Sequence, residues 1–167
     1  MDAMKKYGLL AGLAFIAWQY FEFYSGIHNT DFAAFSGFLP VPIFIVCLFM
    51  AIRDRRAQMG GYMEFTDGLR TGLGASAIAA IVLSIGQYIY ARWVNPAWVL
   101  TEAENFRQYL IKDKIPAAEI QTQVADFIAT RPFRSSVEVL ASMIFMGAII
   151  TIILSATMRK KQPTHTV

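Results

Sequence analysis

Three ionisable residues lie inside or at the ends of long apolar stretches: Glu22, Arg92 and Glu138. Gln19 shares a helical face with Glu22, and Gln87 lies five residues before Arg92. A charge in hydrocarbon is expensive, so each of these positions predicts either an ion pair or a site that binds a ligand or a proton. All three lie near an end of their stretch, where a side chain can also reach water, so interfacial anchoring stays an alternative.

Other kinds of chemistry find little support in the sequence. The chain has no H-E-x-x-H, P-loop, G-x-S-x-G or Rossmann glycine motif, so it carries no catalytic signature. His28 and His165 have no second metal ligand at helical spacing. The single cysteine, Cys47, lies in an apolar stretch, where a small buried side chain is expected. We therefore expect no catalytic residues, no metal and no cofactor.

The composition indicates a membrane protein. Of the 167 residues, 56% are hydrophobic and only 16% are charged, and the mean hydropathy is +0.43. A single domain of this length cannot bury so much apolar surface in a water-soluble core, so lipid is the expected solvent. The pI of about 9.1 is compatible with nucleic-acid binding, but the charges are placed as in a membrane topology and we expect no nucleic-acid partner.

The chain contains four apolar stretches that are long enough to cross a bilayer as helices: 7–25, 35–52, 67–94 and 133–158. The first follows Lys5 and Lys6, as in a signal peptide, but its bulky aromatic residues and the lack of a clean cleavage site favour a retained helix. Gly60-Gly61 separates the second stretch from the third, and Asn95-Pro96 ends the third. The sequence thus predicts an all-α integral membrane protein, a single domain formed by a bundle of four transmembrane helices.

The polar segment 95–132 has helical signals of its own. Thr101 to Glu104 has the pattern of a capping box that would begin one helix, and Pro116 would begin a second. Pro132 is expected to end this second helix. An apolar stripe at helical spacing runs along it: Ile120, Val124, Phe127 and Ile128. The prediction is an amphipathic helical insert between the third and fourth membrane helices.

Lysine and arginine residues predict the orientation in the membrane. Nine flank the segments expected on one side: Lys5, Lys6, Arg53, Arg55, Arg56, Arg70, Arg159, Lys160 and Lys161. Six lie in or beside the insert: Arg92, Arg107, Lys112, Lys114, Arg131 and Arg134. The positive-inside rule then places both termini in the cytoplasm and the insert on the outer side of the membrane, because a long folded segment can translocate despite its charge.

Small residues recur every four positions in two of the stretches. Gly8 and Gly12 have this spacing in the first stretch, and Gly68, Gly72 and Ser76 have it in the third. Such a pattern lets two helix backbones approach closely. We interpret it as helix packing within one bundle, with a surface for a second copy or a partner helix as the alternative.

Several motifs together resemble those of a known family. Lys6 to Leu13 reads KYGLLAGL, and the most specific part is the Gly-Gly-Tyr-x-x-Phe-x-x-Gly pattern of Gly60, Gly61, Tyr62, Phe65 and Gly68. In these features, over nearly the whole chain, the protein resembles a small bacterial membrane family, found mainly in Bacteroidota and catalogued as domain of unknown function 4199. The resemblance implies four membrane helices with an insert before the last, and it implies no activity.

Three classes of function are compatible with these features, and we rank a non-enzymatic membrane scaffold or accessory subunit first. The second is a small oligomeric transporter or channel with a polar pocket at the outer side, formed by Glu22, Gln19, Gln87, Arg92 and Glu138. The third is an intramembrane enzyme with Glu22 or Glu138 as base, which lacks an accompanying nucleophile or metal ligand. The expected partners are the lipid bilayer and a membrane protein or a second copy of the chain.

Overall fold

The structure is a computed structural model that describes residues 2–27 and 30–160, without the side chains of residues 33 and 34. His28 and His165 lie outside the described residues. Within them the chain is all-helical, and Met63 and Lys160 form an isolated antiparallel bridge. The helices are α1 (Ala3–Ser25), α2 (Ala33–Ser36), α3 (Val41–Gln58), α4 (Phe65–Ile89), α5 (Pro96–Lys112) and α6 (Ala117–Met158), with a π-helical turn, Tyr90–Val94, at the end of α4.

Prolines and glycines fix several helix ends. α3 begins between Pro40 and Pro42, whose missing N–H groups are tolerated in a first helical turn, so residues 35–40 of the second predicted stretch lie before the helix. α3 then continues to Gln58, past the charged residues that end the apolar stretch. Gly60 and Gly61 have φ angles of +72° and +86°, which other residues rarely adopt, and they separate α3 from α4 as predicted.

The region around Asn95 shows one correct prediction and one wrong one. The helical stretch of α4 ends before Asn95-Pro96, as expected, in a π turn where Asn95 N–H donates to the Tyr90 carbonyl at 2.8 Å. The side chain of Asn95 accepts the N–H of Trp98 at 3.1 Å and thereby caps α5. The capping box predicted at Thr101 is wrong, because α5 is already formed there and the Thr101 hydroxyl donates to the Ala97 carbonyl at 3.1 Å.

Pro132 does not end a helix, contrary to the prediction. It lies inside α6, which runs without a break from Ala117 to Met158. A proline inside a helix removes one hydrogen bond and costs about 3 kcal/mol relative to alanine. Two serines in the next turn bond back to the helix, Ser135 to the Pro132 carbonyl at 3.0 Å and Ser136 to the Phe133 carbonyl at 2.7 Å. Both of these carbonyls lie after the gap in the backbone hydrogen bonds, since the carbonyl that loses its donor at Pro132 is that of Ile128.

The chain divides into two compact units, and Met1–Leu83 with Leu140–Val167 forms the first. Its contacts give the helix directions. α1 and α3 are antiparallel, since Phe15 meets Phe44 at 6.0 Å and Tyr7 bonds Asp54 at 2.8 Å. α4 runs parallel to α1, because Gly8 faces Ala75 and Gly12 faces Ala79. α6 is antiparallel to α4, since Gly68 faces Ser155 and Gly72 faces Thr151, so the direction alternates from α1 through α3 and α4 to α6.

One end of the first unit collects basic residues. Tyr7 at the start of α1 bonds Asp54 near the end of α3, and Arg56 Nη1 donates to the Met158 carbonyl at the end of α6 at 3.2 Å. The bridge between Met63 and Lys160 joins the connector after α3 to the end of α6. The elements that meet here carry these lysines and arginines: Lys5, Lys6, Arg53, Arg55, Arg56, Arg159 and Lys160.

The second unit, Ser84–Val139, contains the helical hairpin of α5 and the first half of α6. Phe106 of α5 stacks on Phe127 of α6 with ring centroids 4.8 Å apart, and Leu110 and Ile120 are buried. A helical insert was expected at residues 95–132. The hairpin differs from that expectation in one respect, since its second helix continues into the fourth apolar stretch.

Two helical segments are long and apolar enough to cross a membrane among the residues described: Phe65–Val94 and Ala117–Met158. They contain the third and fourth predicted stretches. That these two segments, together with α1 and α3, cross a bilayer stays a prediction.

Candidate functional site

Glu22 holds the connection between α1 and α3. Ser36, the last residue of α2, is fully buried, and its hydroxyl donates to the Glu22 carboxylate. Trp18, one turn before Glu22, donates its indole N–H to the Ser36 carbonyl at 2.9 Å. Gln19 is partly buried on the same helix. Two side chains of α1 thus fix both sides of one serine, which gives Glu22 a structural role in this unit.

The other predicted polar residues lie in the second unit. Gln87 is buried, and its amide Nε2 donates to the Ser135 hydroxyl at 3.3 Å, joining α4 to α6. Glu138 accepts two hydrogen bonds from Arg131 at 2.9 and 3.0 Å. Arg92 is exposed on the π turn. The partner that the structure gives Glu138 is therefore Arg131 and not Arg92.

Arg131 is the centre of the most concentrated polar cluster in the second unit. Its side chain is only 16% exposed, and Nη2 lies 3.4 Å from a carboxylate oxygen of Glu102 on α5. Its guanidinium carbon is 5.2 Å from the Trp98 ring and 5.7 Å from the Phe127 ring. Two carboxylates and two aromatic faces thus surround one cation, which fastens α5 to α6. The Arg131–Glu138 pair also spans Pro132 along α6.

The small residues of α4 lie directly against α6. An added Cβ on Gly68 would be 2.8 Å from the Ser155 hydroxyl, and one on Gly72 would be 2.5 Å from the Thr151 hydroxyl. Ser76 meets Gly147 in the same way. Each step of four residues along α4 corresponds to a step of four back along α6, so the two helices are antiparallel and in close backbone contact.

Two hydroxyls at this interface are unusual. Thr151 and Ser155 are fully buried, and neither hydroxyl has a hydrogen-bond partner among the residues that the structure describes. A buried unpaired hydroxyl costs about 1–3 kcal/mol. The facing glycines leave no space beside them for a ligand. We therefore assign these hydroxyls to helix packing and not to a binding site.

The glycines of α1 and the family motif also have defined positions. Gly8 and Gly12 lie against α4, where added Cβ atoms would be 2.7 Å from the Ala75 carbonyl oxygen and 2.8 Å from Val82 Cβ. In the Gly60 to Gly68 motif, the two turn glycines precede Tyr62, whose ring lies 5.5 Å from the Lys160 ammonium. Phe65 begins α4, and Gly68 packs against Ser155. The motif therefore shapes the connector and the first turn of α4.

The remaining features offer little catalytic chemistry. No group of three potential metal ligands occurs within residues 2–27 and 30–160. A groove of about 610 Å³ between α1 and α3, lined by residues such as Trp18, Leu39 and Ile43, is almost wholly apolar. In the insert, the hydrogen bond that the Tyr109 phenol donates to Asp113, together with the negative charge of Asp113, raises the pKa of Tyr109. Cys47 is free and buried, as expected for a packing residue.

Sequence reasoning missed the two residues that organise the polar groups. Arg131 lies seven residues before Glu138, which is two helical turns and hence the same face of a helix. Ser36 lies in an apolar stretch, so the sequence did not single it out. Trp18 and Glu22 are four residues apart and therefore place a hydrogen-bond donor and an acceptor on one face of α1. Neither the spacing of Arg131 and Glu138 nor that of Trp18 and Glu22 can be interpreted until the fold is known.

Over residues 2–27 and 30–160, these features define an all-helical architecture with two helices that are long and apolar enough to cross a membrane, and with polar clusters that fasten helices to one another. The chain belongs to the family described as protein of unknown function (DUF4199), whose model matches residues 6–160. No curated protein and no solved structure matches the chain.

Proposed function

We propose that the protein is an integral inner-membrane protein that crosses the bilayer four times, through α1, α3, α4 and α6. The observation that carries this proposal is the apolar surface of the first unit. Each of its four long helices exposes large apolar side chains: Leu10 and Leu13, Ile43 and Val46, Ile81, and Phe145 and Ile153. Water-soluble monomers rarely expose large apolar side chains on every long helix, whereas lipid covers such side chains at no cost.

The lengths of the two less apolar helices fit this proposal. At 1.5 Å per residue, α1 with 23 residues is about 35 Å long and α3 with 18 residues is about 27 Å long. The hydrocarbon core is about 30 Å thick. Apart from Glu22 near the other end of α1, their charged residues lie at the basic end of the unit, where long side chains can extend into the headgroup region. We place that end, with both termini, in the cytoplasm and the α5–α6 hairpin outside.

Cysteine labelling tests this topology. In a Cys47→Ala background, single cysteines at Thr30, Gln58, Gln108 and Thr164 should divide into two classes. An impermeant thiol reagent added to intact spheroplasts should label positions 30 and 108 only, because the bilayer separates them from positions 58 and 164. After lysis, all four positions should react, which controls for buried cysteines. Labelling of position 58 or 164 before lysis would contradict the proposal.

Within the membrane we propose the role of a non-enzymatic scaffold or accessory subunit. The close packing of Gly68, Gly72 and Ser76 against α6 supports it, because no solute path fits between these two helices. The polar clusters around Ser36 and Arg131 support it too, since their hydrogen bonds and ion pairs join helices. A protein of this kind acts by presenting a rigid surface to another membrane protein.

A binding partner is therefore expected. The tagged protein, produced at its native level and purified in mild detergent, should bring down one membrane protein in stoichiometric amount. Gly72→Leu, which disturbs the α4–α6 interface, should reduce the yield of that partner, whereas Gly37→Ala, at an open position, should not. Recovery of a homo-oligomer alone, which moves ions or solutes when reconstituted in liposomes, would replace this role by that of a transporter or channel.

A further inference from the structure

A groove of about 320 Å³ on the α5–α6 hairpin combines charged, polar and aromatic groups. Its lining consists of Phe106, Thr122, Gln123, Asp126, Phe127 and Arg134. Its volume is at the lower end of the range for pockets that hold small molecules. None of these residues is needed for the membrane topology or the helix packing described above, apart from the two stacked rings.

The charged pair in the groove is only loosely engaged. Arg134 Nη2 and Asp126 Oδ2 are 3.9 Å apart, beyond hydrogen-bond distance, and the two side chains are 58% and 67% exposed. An exposed ion pair of this geometry contributes little to stability, so each group can release its partner and bind a ligand at a small cost in free energy. The carboxylate and the guanidinium thus present opposite charges side by side.

The side chains of Thr122 and Gln123, beside this pair, provide further hydrogen-bond acceptors. Thr122 and Gln123 lie on the same helix as Asp126, within one turn. The Thr122 hydroxyl donates to the Ala118 carbonyl and the Gln123 amide Nε2 donates to Glu119, which leaves an oxygen of each side chain as an acceptor. With the carboxylate, the groove therefore offers three acceptors, the number that an ammonium group can use.

We propose that this groove binds a free α-amino acid with an apolar side chain. Its ammonium group would donate to Asp126, Gln123 and Thr122, and its carboxylate would pair with the Arg134 guanidinium, which matches carboxylate geometry in two parallel hydrogen bonds. Its apolar side chain would lie against the stacked rings of Phe106 and Phe127. This site is independent of the proposed membrane role, since it uses the hairpin alone.

Binding of L-leucine to the purified full-length protein tests the site. Equilibrium dialysis with radiolabelled L-leucine, up to about 10 mM, should show saturable binding of the modest strength expected for an open groove. Asp126→Asn and Arg134→Gln should each weaken it about tenfold or more, because each removes one charge-assisted contact. N-acetyl-L-leucine amide, which carries neither charge, should not compete.

A matched pair elsewhere on the hairpin supplies the control. Glu104 and Arg107 form a similar exposed pair on α5 at 3.8 Å, so Glu104→Gln and Arg107→Gln make the same chemical changes outside the groove and should leave binding unchanged. All four variants should keep the thermal midpoint of the wild type. The proposal is overturned if the wild type shows no saturable binding, if the amide competes equally, or if the control pair weakens binding as much.

Discussion

Replacing Gly72 by leucine should strongly destabilise the protein. A Cβ at this position would already lie 2.5 Å from the Thr151 hydroxyl and 3.0 Å from its Cβ, and leucine adds three further carbons. Overpacking of this kind typically costs about 1–3 kcal/mol. The expected result is a lower midpoint of thermal unfolding, measured by circular dichroism in mild detergent. A midpoint equal to that of the wild type would show that α4 and α6 are not in contact here.

Alanine substitutions provide a sharper form of the same test. Gly72→Ala introduces only the clashing Cβ, whereas Gly37→Ala adds the same group at a position where nothing lies within 4 Å. We expect a clear loss of stability for the first and little change for the second. Thr151→Ala should restore part of the stability of Gly72→Ala, because it clears space and removes a buried hydroxyl without a partner among the described residues. This recovery would appear as a coupling energy in a double-mutant cycle.

Helix ends that depend on local backbone chemistry could be predicted from the sequence. Gly60 and Gly61 adopt backbone angles that only glycine adopts readily, and the bond between Asn95 and Pro96 limits the helix before it. Such signals act over a few residues, whatever the rest of the chain does. The helix ends that they predict are therefore found in the structure.

The wrong helix ends have the opposite origin. Thr101 has the pattern of a cap, but Asn95 caps the helix six residues earlier, and a helix that has already formed extends through a weaker start signal. Pro132 is a strong stop signal in isolation, but α6 passes through it in a region held by Arg131, Glu102 and the Ser135 hydroxyl. Tertiary contacts of this kind are not visible in a local pattern.

The polar residues show the same limit. The sequence identified Glu22 and Glu138 as charges that need partners, and the partners in the structure are Ser36 and Arg131. Ser36 contacts Glu22 because the chain folds back after α1, and no rule based on residue spacing predicts this contact. The face shared by Arg131 and Glu138 follows from helix geometry, but only if α6 continues through Pro132, and the sequence argued against that.

Loss of Arg131 should destabilise the hairpin. Arg131→Met keeps most of the side-chain volume but leaves Glu102 and Glu138 without their cation and removes the contacts with Trp98 and Phe127. The two carboxylates are 37% and 59% exposed and keep part of their hydration, so we expect a loss of about 1–3 kcal/mol, below that of a fully buried pair. Arg107→Met, at an exposed pair on α5, should cost less than about 0.5 kcal/mol.

Second substitutions separate the charge from the packing. Arg131→Lys keeps the charge but not the planar group whose Nη1 and Nη2 reach two different carboxylates and which lies over two rings, so it should recover only part of the stability. Glu138→Gln added to Arg131→Met should also recover part, because it removes a carboxylate left without its partner. If the double variant is no more stable than Arg131→Met alone, the ion pair is not the source of the effect.

Because the Arg131–Glu138 pair spans Pro132, loss of Arg131 should weaken the part of α6 around the proline more than the rest of the helix. Pro132 cannot donate a hydrogen bond to Ile128, and the Arg131–Glu138 bonds bridge the two turns that flank this gap. In Arg131→Met, amide hydrogen exchange should therefore rise first in residues 129–139 of α6, ahead of the segment 145–155 that packs against α4. Equal loss of protection in both segments would mean that Arg131 supports the whole helix and not the proline turn in particular.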